Sequence, residues 1–191
     1  KGTGNRGVGE IAAEIESSGG RINAWTSWNE TVYHIVVASR YADTGLEVLA
    51  DAVRNSSFDP QELDKELGVV LEEWKRGEDS PSRRVFDTLF VTAFTAHPYR
   101  RPVIGTKESI EGLTRDRILS FYGRFYAPNN MTLVIVGDVD TEHMKSVIDK
   151  AFGAFTSREL PRPERPVEPP QTALRFQSDR MDVRESQLAL G

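Results

Sequence analysis

Glu66 and Glu73 stand seven residues apart in a stretch with helical periodicity, so they lie on one face, two turns apart. At about 100° per residue, both fall beside the Leu63 and Val70 edge of an apolar stripe rather than opposite it. A carboxylate placed there is half desolvated and calls for a cation, a hydrogen-bond donor or a metal. The competing reading is a solvated acidic flank made of Glu62, Glu66, Glu72, Glu73 and Glu78, and spacing alone leaves both open. Other constellations are thinner. His34, His97 and His143 are the only histidines, and no two have metal-ligand spacing. No Gly-x-Ser-x-Gly elbow supports a serine triad. Gly2-x-Gly4-x-x-Gly7 matches the dinucleotide fingerprint, but no strand precedes it, so a flexible turn is the simpler reading.

The elements that must hold these residues follow from periodicity and punctuation. Val8, Ile11, Ala12 and Ile15 have helical spacing, and Gly19-Gly20 ends that helix. Residues 21–26 and 30–39 form two strands of a hairpin, the second apolar on both faces and therefore expected inside a sheet. A helix follows over 44–55. Asp59-Pro60 then opens the best-marked helix, with Asp59 at the N-cap, Pro60 at the first position and Glu62 placed to close a capping box. Residues 77–81 interrupt it, and Val85, Phe86, Leu89, Phe90 and Phe94 continue as another amphipathic helix. Residues 97–108 are expected as a loop. Thr114 caps a helix carrying Ile118, Phe121, Tyr122 and Phe125, residues 131–136 a strand, and Asp140 or Thr141 opens a helix. Five of the ten prolines crowd into the segment after residue 157, which predicts a linker over 158–172. Residues 173–178 and 183–190 are expected as strands. The order β-β-α-α-α-α-β-α-β-β is an α+β pattern, with helices packed on a mainly antiparallel sheet.

Composition narrows the function. The chain has 191 residues, 38% of them hydrophobic, the profile of a soluble globular protein able to bury a core. It carries 24 Lys and Arg against 29 Asp and Glu, a net charge of −5, which argues against nucleic acid as a partner. No apolar run reaches the roughly 18 residues of a membrane span, so a transmembrane protein is not expected. The absence of cysteine excludes a disulfide scaffold, a thiolate zinc site and a cysteine nucleophile. The compartment is not legible.

A series of short motifs then adds a resemblance. Lys1-Gly2-Thr3, Gly19-Gly20, Asn23-Ala24-Trp25-Thr26 and Glu30-Thr31-Val32-Tyr33 occur in order. They are followed by Glu66-x-Gly68-Val69-Val70-x-Glu72-Glu73, His97-Pro98-Tyr99, Ile104-Gly105, Tyr122, Tyr126-x-Pro128-x-Asn130 and Val136-Gly137-Asp138. This series resembles the M16 zinc metallopeptidases, the insulinase, pitrilysin and mitochondrial processing peptidase family, over nearly the whole chain. The resemblance implies zinc, with Glu73 as the third ligand and Glu66 supporting the site from behind. The family's His-x-x-Glu-His motif, source of two imidazole ligands and the general-base glutamate, is absent from this sequence and is expected just upstream of Lys1. Both ends are expected to be cuts in a longer protein.

The implied function is a zinc-dependent metalloendopeptidase acting on peptides or unfolded proteins, with this piece inactive alone. The alternative is a non-catalytic M16-like subunit with an assembly or peptide-binding role. The implied partners are a peptide or unfolded-protein substrate and a homologous M16 domain, in cis or as a subunit, with no nucleic acid and no membrane. The segment Asn23, Ala24, Trp25, Thr26 follows the Gly-Gly break as an expected edge strand, and in the family the matching strand takes the substrate as an added antiparallel strand. By this reading residues 1–157 form the main part of an M16-like N-terminal domain, 158–172 the proline-rich linker, and 173–191 strands that begin the next segment.

Overall fold

The computed structural model of the chain describes residues 2–161 and 164–191. They divide into two compact units, the first running up to Leu63 and resuming over Thr114–Pro161, the second comprising Asp64–Leu113 and the C-terminal residues.

The first unit opens with α1 (Glu10–Ser17), β1 (Arg21–Thr26) and β2 (Thr31–Val36). Gly19, at φ 73°, supplies the left-handed turn out of α1. At Gly20 a Cβ would stand 2.6 Å from Val37 Cγ1 and 2.8 Å from Val36 O, so only glycine lets α1 close onto the hairpin. β1 and β2 pair antiparallel from Arg21↔Val36 to Thr26↔Thr31, with Ala24 opposite Tyr33. α2 (Ala42–Arg54) buries Leu46, Val48, Ala50 and Val53, and packs on α7 (Thr141–Phe152), where Leu46 meets Met144 and Val147. Asp140 caps α7 by accepting from the His143 N–H at 2.7 Å. α6 (Arg115–Phe125) is capped by Thr114. Its Tyr122 hydroxyl donates to Val53 O at 2.7 Å, which ties α6 to α2.

Asp59 caps α3 (Pro60–Glu78) as expected, accepting from the N–H groups of Gln61 and Glu62 at 2.9 and 3.1 Å. Just before it, Phe58 has φ 46°, a strained value for a side chain of that size. Arg115 holds that turn, donating from Nε to Phe58 O at 2.7 Å.

Most of α3 belongs to the second unit, with α4 (Pro81–Ala93) and a short α5 (Lys107–Glu111). The break between them covers only residues 79 and 80, narrower than the expected 77–81; Pro81 has no N–H to continue α3 and sits well at the first position of α4. α5 falls partly within the expected loop. Thr106 and Ser109 form a reciprocal capping box there, a signal the sequence reading overlooked. Phe86, Phe90 and Phe94 stack along α4 at 5.3 and 6.0 Å. Ile110 is the unit's buried apolar side chain among the described residues.

Helices with an antiparallel hairpin make this an α+β chain, as expected. The extent of the sheet differs. β2 was expected inside a larger sheet, but among the described residues it pairs with β1 alone. Residues 131–136, 173–178 and 183–190, expected as strands, make no ladder among the described residues. A groove of about 450 Å³ lies between β2 and residues 133–139. Strand propensity in Met131 to Val136 therefore finds no ladder partner among the described residues, and Val134 and Val136 stay exposed.

Candidate functional site

α3 presents both glutamates, and they differ. Glu66 is half-buried, the environment expected beside the Leu63 and Val70 edge. Glu73 is exposed, and its side chain has no hydrogen-bond or ion-pair partner among the described residues. Its neighbour Glu72 is engaged with Lys75 Nζ at 2.6 Å. The acidic flank is thus not uniform. A carboxylate oxygen is a suitable zinc donor, and Glu73 offers one from a capped helix. The described residues hold no group of three His, Cys, Asp or Glu side chains able to bind a metal, so they do not complete a zinc site by themselves.

β1 has one edge covered by β2 and no strand on the other among the described residues. Along it Asn23, Ala24, Trp25 and Thr26 are all exposed. The Ala24 N–H donates to Asn23 Oδ1 at 2.8 Å, so the strand's own side chain covers one of its backbone donors. Behind the strand, Tyr33 bonds Tyr126 hydroxyl to hydroxyl at 2.5 Å, fixing β2 to the end of α6. Burial and that hydrogen bond push the Tyr126 phenol above its usual range.

The histidines are dispersed. His34 is exposed on β2, His143 bonds Asp43 through Nε2 at 2.8 Å, and His97 Nδ1 accepts from the Tyr99 N–H at 3.3 Å. Gly2, Gly4 and Gly7 lie in a turn that pairs with the end of α2: Thr3 bridges Ser56, and the Gly4 N–H donates to Asn55 O at 3.1 Å. The Gly7 N–H is taken by Glu10 Oε2 at 2.6 Å, so this is a structural turn.

Sequence reasoning missed the polar centre of the first unit. Asp51 is 5% exposed and accepts from Thr3 Oγ1 (2.6 Å), Asn5 Nδ2 (2.7 Å), Arg6 Nη1 (2.8 Å) and Asn55 Nδ2 (2.7 Å). Burial raises its pKa, but the hydrogen bonds from Thr3, Asn55, Arg6 and Asn5 outweigh that and hold it down at about 2. Arg6 also donates to Glu14, from Nε at 2.7 Å and Nη2 at 3.2 Å, a bidentate pair that holds the guanidinium protonated and lowers Glu14. Periodicity gave little signal, because Asp51 lies about 140° around α2 from Leu46, on the side of Val48 and Asn55.

Residues 1–107 match the family profile described as insulinase (peptidase family M16). The chain belongs to that family. Residues 112–191 match the profile described as the peptidase M16 inactive domain. An uncharacterized zinc protease of Rickettsia bellii is 36% identical over 83% of this chain and 39% of its own length. A protease from Helicobacter pylori has the same fold, with TM-score 0.84 and 29% identity over 88% of this chain and 41% of its own. The ferredoxin protease FusC, solved in complex with Arabidopsis ferredoxin, aligns with TM-score 0.77 and 25% identity, over 86% of this chain and 19% of its own. The chain spans about two fifths of the length of the curated relatives it matches. Membership of the M16 family gives the motif series a common origin. The motif residues Tyr122 and Tyr126 also tie elements together in this fold, and His97 accepts from the Tyr99 N–H within its own turn.

Proposed function

We propose that this chain is part of a zinc-dependent metalloendopeptidase of the M16 family, acting on peptides or unfolded proteins. The observation that carries the reading is Glu73, an exposed carboxylate without a partner among the described residues, where the resemblance to the family implies the third zinc ligand. Glu73 would supply one anionic oxygen, and Glu66, half-buried one double turn earlier, would orient that ligand set from behind. The chemistry a zinc ion supplies when bound is Lewis-acid polarisation of the scissile carbonyl. The other ligands and the general base would come from a His-x-x-Glu-His motif outside this sequence, so the chain alone would bind zinc weakly and hydrolyse nothing.

The bare edge of β1 would receive the substrate as an added strand. Backbone pairing gives affinity with little sequence preference, and Ala24 is small enough for a second backbone to approach. An incoming strand would first displace Asn23 Oδ1 from the Ala24 N–H. A homologous M16 domain, in cis or as a subunit, would complete the substrate chamber.

Metal analysis of the full-length protein tests the ligand. Glu73→Gln should lose most of its zinc, whereas Glu66→Gln should retain more metal and lose about 10–100-fold in turnover. Full zinc occupancy in Glu73→Gln would refute the assignment. Wild-type protein purified without zinc, yet able to bind peptides, would point to a non-catalytic subunit. Ala24→Pro removes one edge N–H and should raise KM for unrelated peptides alike at unchanged zinc content. An unaltered KM in a folded variant would remove β1 from the substrate site.

A further inference from the structure

The His97-Pro98-Tyr99 motif has no part in the proposed chemistry, yet its backbone is arranged around a charge. α4 ends at Ala93, and Phe94 is the last residue whose N–H bonds back into the helix, to Phe90 O at 3.0 Å. The next three amides have no helical carbonyl to meet, and they converge on one carboxylate from far along the chain. The Thr95 N–H donates to Glu168 Oε1 at 2.6 Å, and the Ala96 and His97 N–H groups donate to Oε2 at 2.9 and 2.7 Å. The Thr95 hydroxyl adds a fourth bond to Oε1 at 2.7 Å. Successive N–H groups turned to one side form a concave anion cradle.

The cradle is braced on its own side. Pro98 fixes one φ, His97 Nδ1 accepts from the Tyr99 N–H, and the Phe94, His97 and Tyr99 rings meet at 4.4–5.6 Å. The occupant is also prepared. Glu168 precedes Pro169-Pro170, which biases its backbone to the extended region and lowers the entropy lost on docking. Arg175 closes the far side. It donates to Thr92 O and Ala93 O, the last carbonyls of α4, at 3.3 and 2.6 Å, and stands 3.9 Å from Glu168 Oε1.

We propose that the 94–97 turn is a carboxylate cradle and that Glu168 is its built-in occupant, a latch that straps residues 164–177 to the end of α4. Residues 164–172 are therefore fastened to the end of α4 rather than free of it. Desolvation works against the charge on Glu168, but the four donors outweigh it and lower its pKa to about 2, so the latch stays closed at neutral pH. This inference does not depend on the peptidase reading, since it concerns neither Glu73 nor β1.

Amide hydrogen exchange on the full-length protein tests it. Glu168→Ala should speed exchange about tenfold at Thr95, Ala96 and His97 and across residues 164–172, while α2 keeps its protection. Sodium formate, a free carboxylate, should restore protection at the three amides in Glu168→Ala and leave wild type unchanged. Glu168→Gln keeps the shape and one acceptor and should show the same pattern at smaller amplitude; it serves if Glu168→Ala does not fold. Unchanged exchange at the three amides, equal loosening of α2, or no response to formate would each overturn the proposal.

Discussion

The two units solve the same problem by different means. In the first, α2 buries Leu46, Val48, Ala50 and Val53 and, on another side of the helix, Asp51. In the second, α3 is longer, at 19 residues, and just as regularly patterned, yet Gly77 is its only buried residue. Leu63, Leu67, Val70, Leu71 and Trp74 are only partly covered. Where apolar burial is deep, a charge is tolerated only with a full set of donors, as at Asp51. Where burial is shallow, side-chain clips on helix ends take a larger share, as with Glu168 and Arg175 at the end of α4. An amphipathic stripe is a capacity for packing, and what it contributes depends on what covers it.

The sharpest way to break this comparison is at Asp51. Asp51→Ala removes the shared acceptor of Thr3, Asn5, Arg6 and Asn55, and should cost about 3–5 kcal/mol in urea unfolding of the full-length protein. A cost below about 1 kcal/mol, the value of an exposed ion pair, would show that the network is not buried in effect. Next in size is the apolar contrast. Leu46→Ala should cost about 3 kcal/mol, and Leu67→Ala on α3 about 1 kcal/mol, because less surface returns to water. Equal losses would mean that α3 is covered as deeply as α2.

Acid comes third. The folded pKa of Asp51 is about 2, below its ordinary value of 3.8, so its stabilisation is complete above about pH 4 and is lost as pH falls through 2. That loss should amount to about 2 kcal/mol, and a plot of stability against pH should flatten over this window in Asp51→Asn. An unaltered acid limb would assign the transition to other carboxylates. The smallest effect is predicted at Glu73. As an exposed side chain without a partner among the described residues, its change to Gln should alter the stability of the metal-free protein by less than about 0.5 kcal/mol. A larger loss would place Glu73 in the packing of α3 and weaken its assignment to the metal.

Local chemistry determined much of this molecule in advance. Asp59 and Thr114 at helix starts, Pro81 between two helices, and Gly19-Gly20 after α1 all act over a few residues, where the backbone's own unsatisfied groups and forbidden angles decide the outcome. The α+β class and the hairpin followed from the same short-range patterns, and the motif series carried the family. The placing of Glu66 beside the apolar edge was also legible, because helical geometry fixes angular position and the residue is half-buried there.

What tertiary structure decided involves partners distant in the chain. Sequence shows that residues 131–136 favour an extended backbone, but a strand also needs a neighbour within hydrogen-bond distance, and here a groove lies beside β2. Asp51 has its partners only because the fold brings Thr3, Asn5 and Arg6 to it across 45 to 48 positions. Glu168 lies in a segment whose composition suggests a tether, and only the turn after α4, more than 70 positions away, makes it a latch. A hydrogen bond of this kind depends on angstrom-scale placement of donors that no local periodicity encodes.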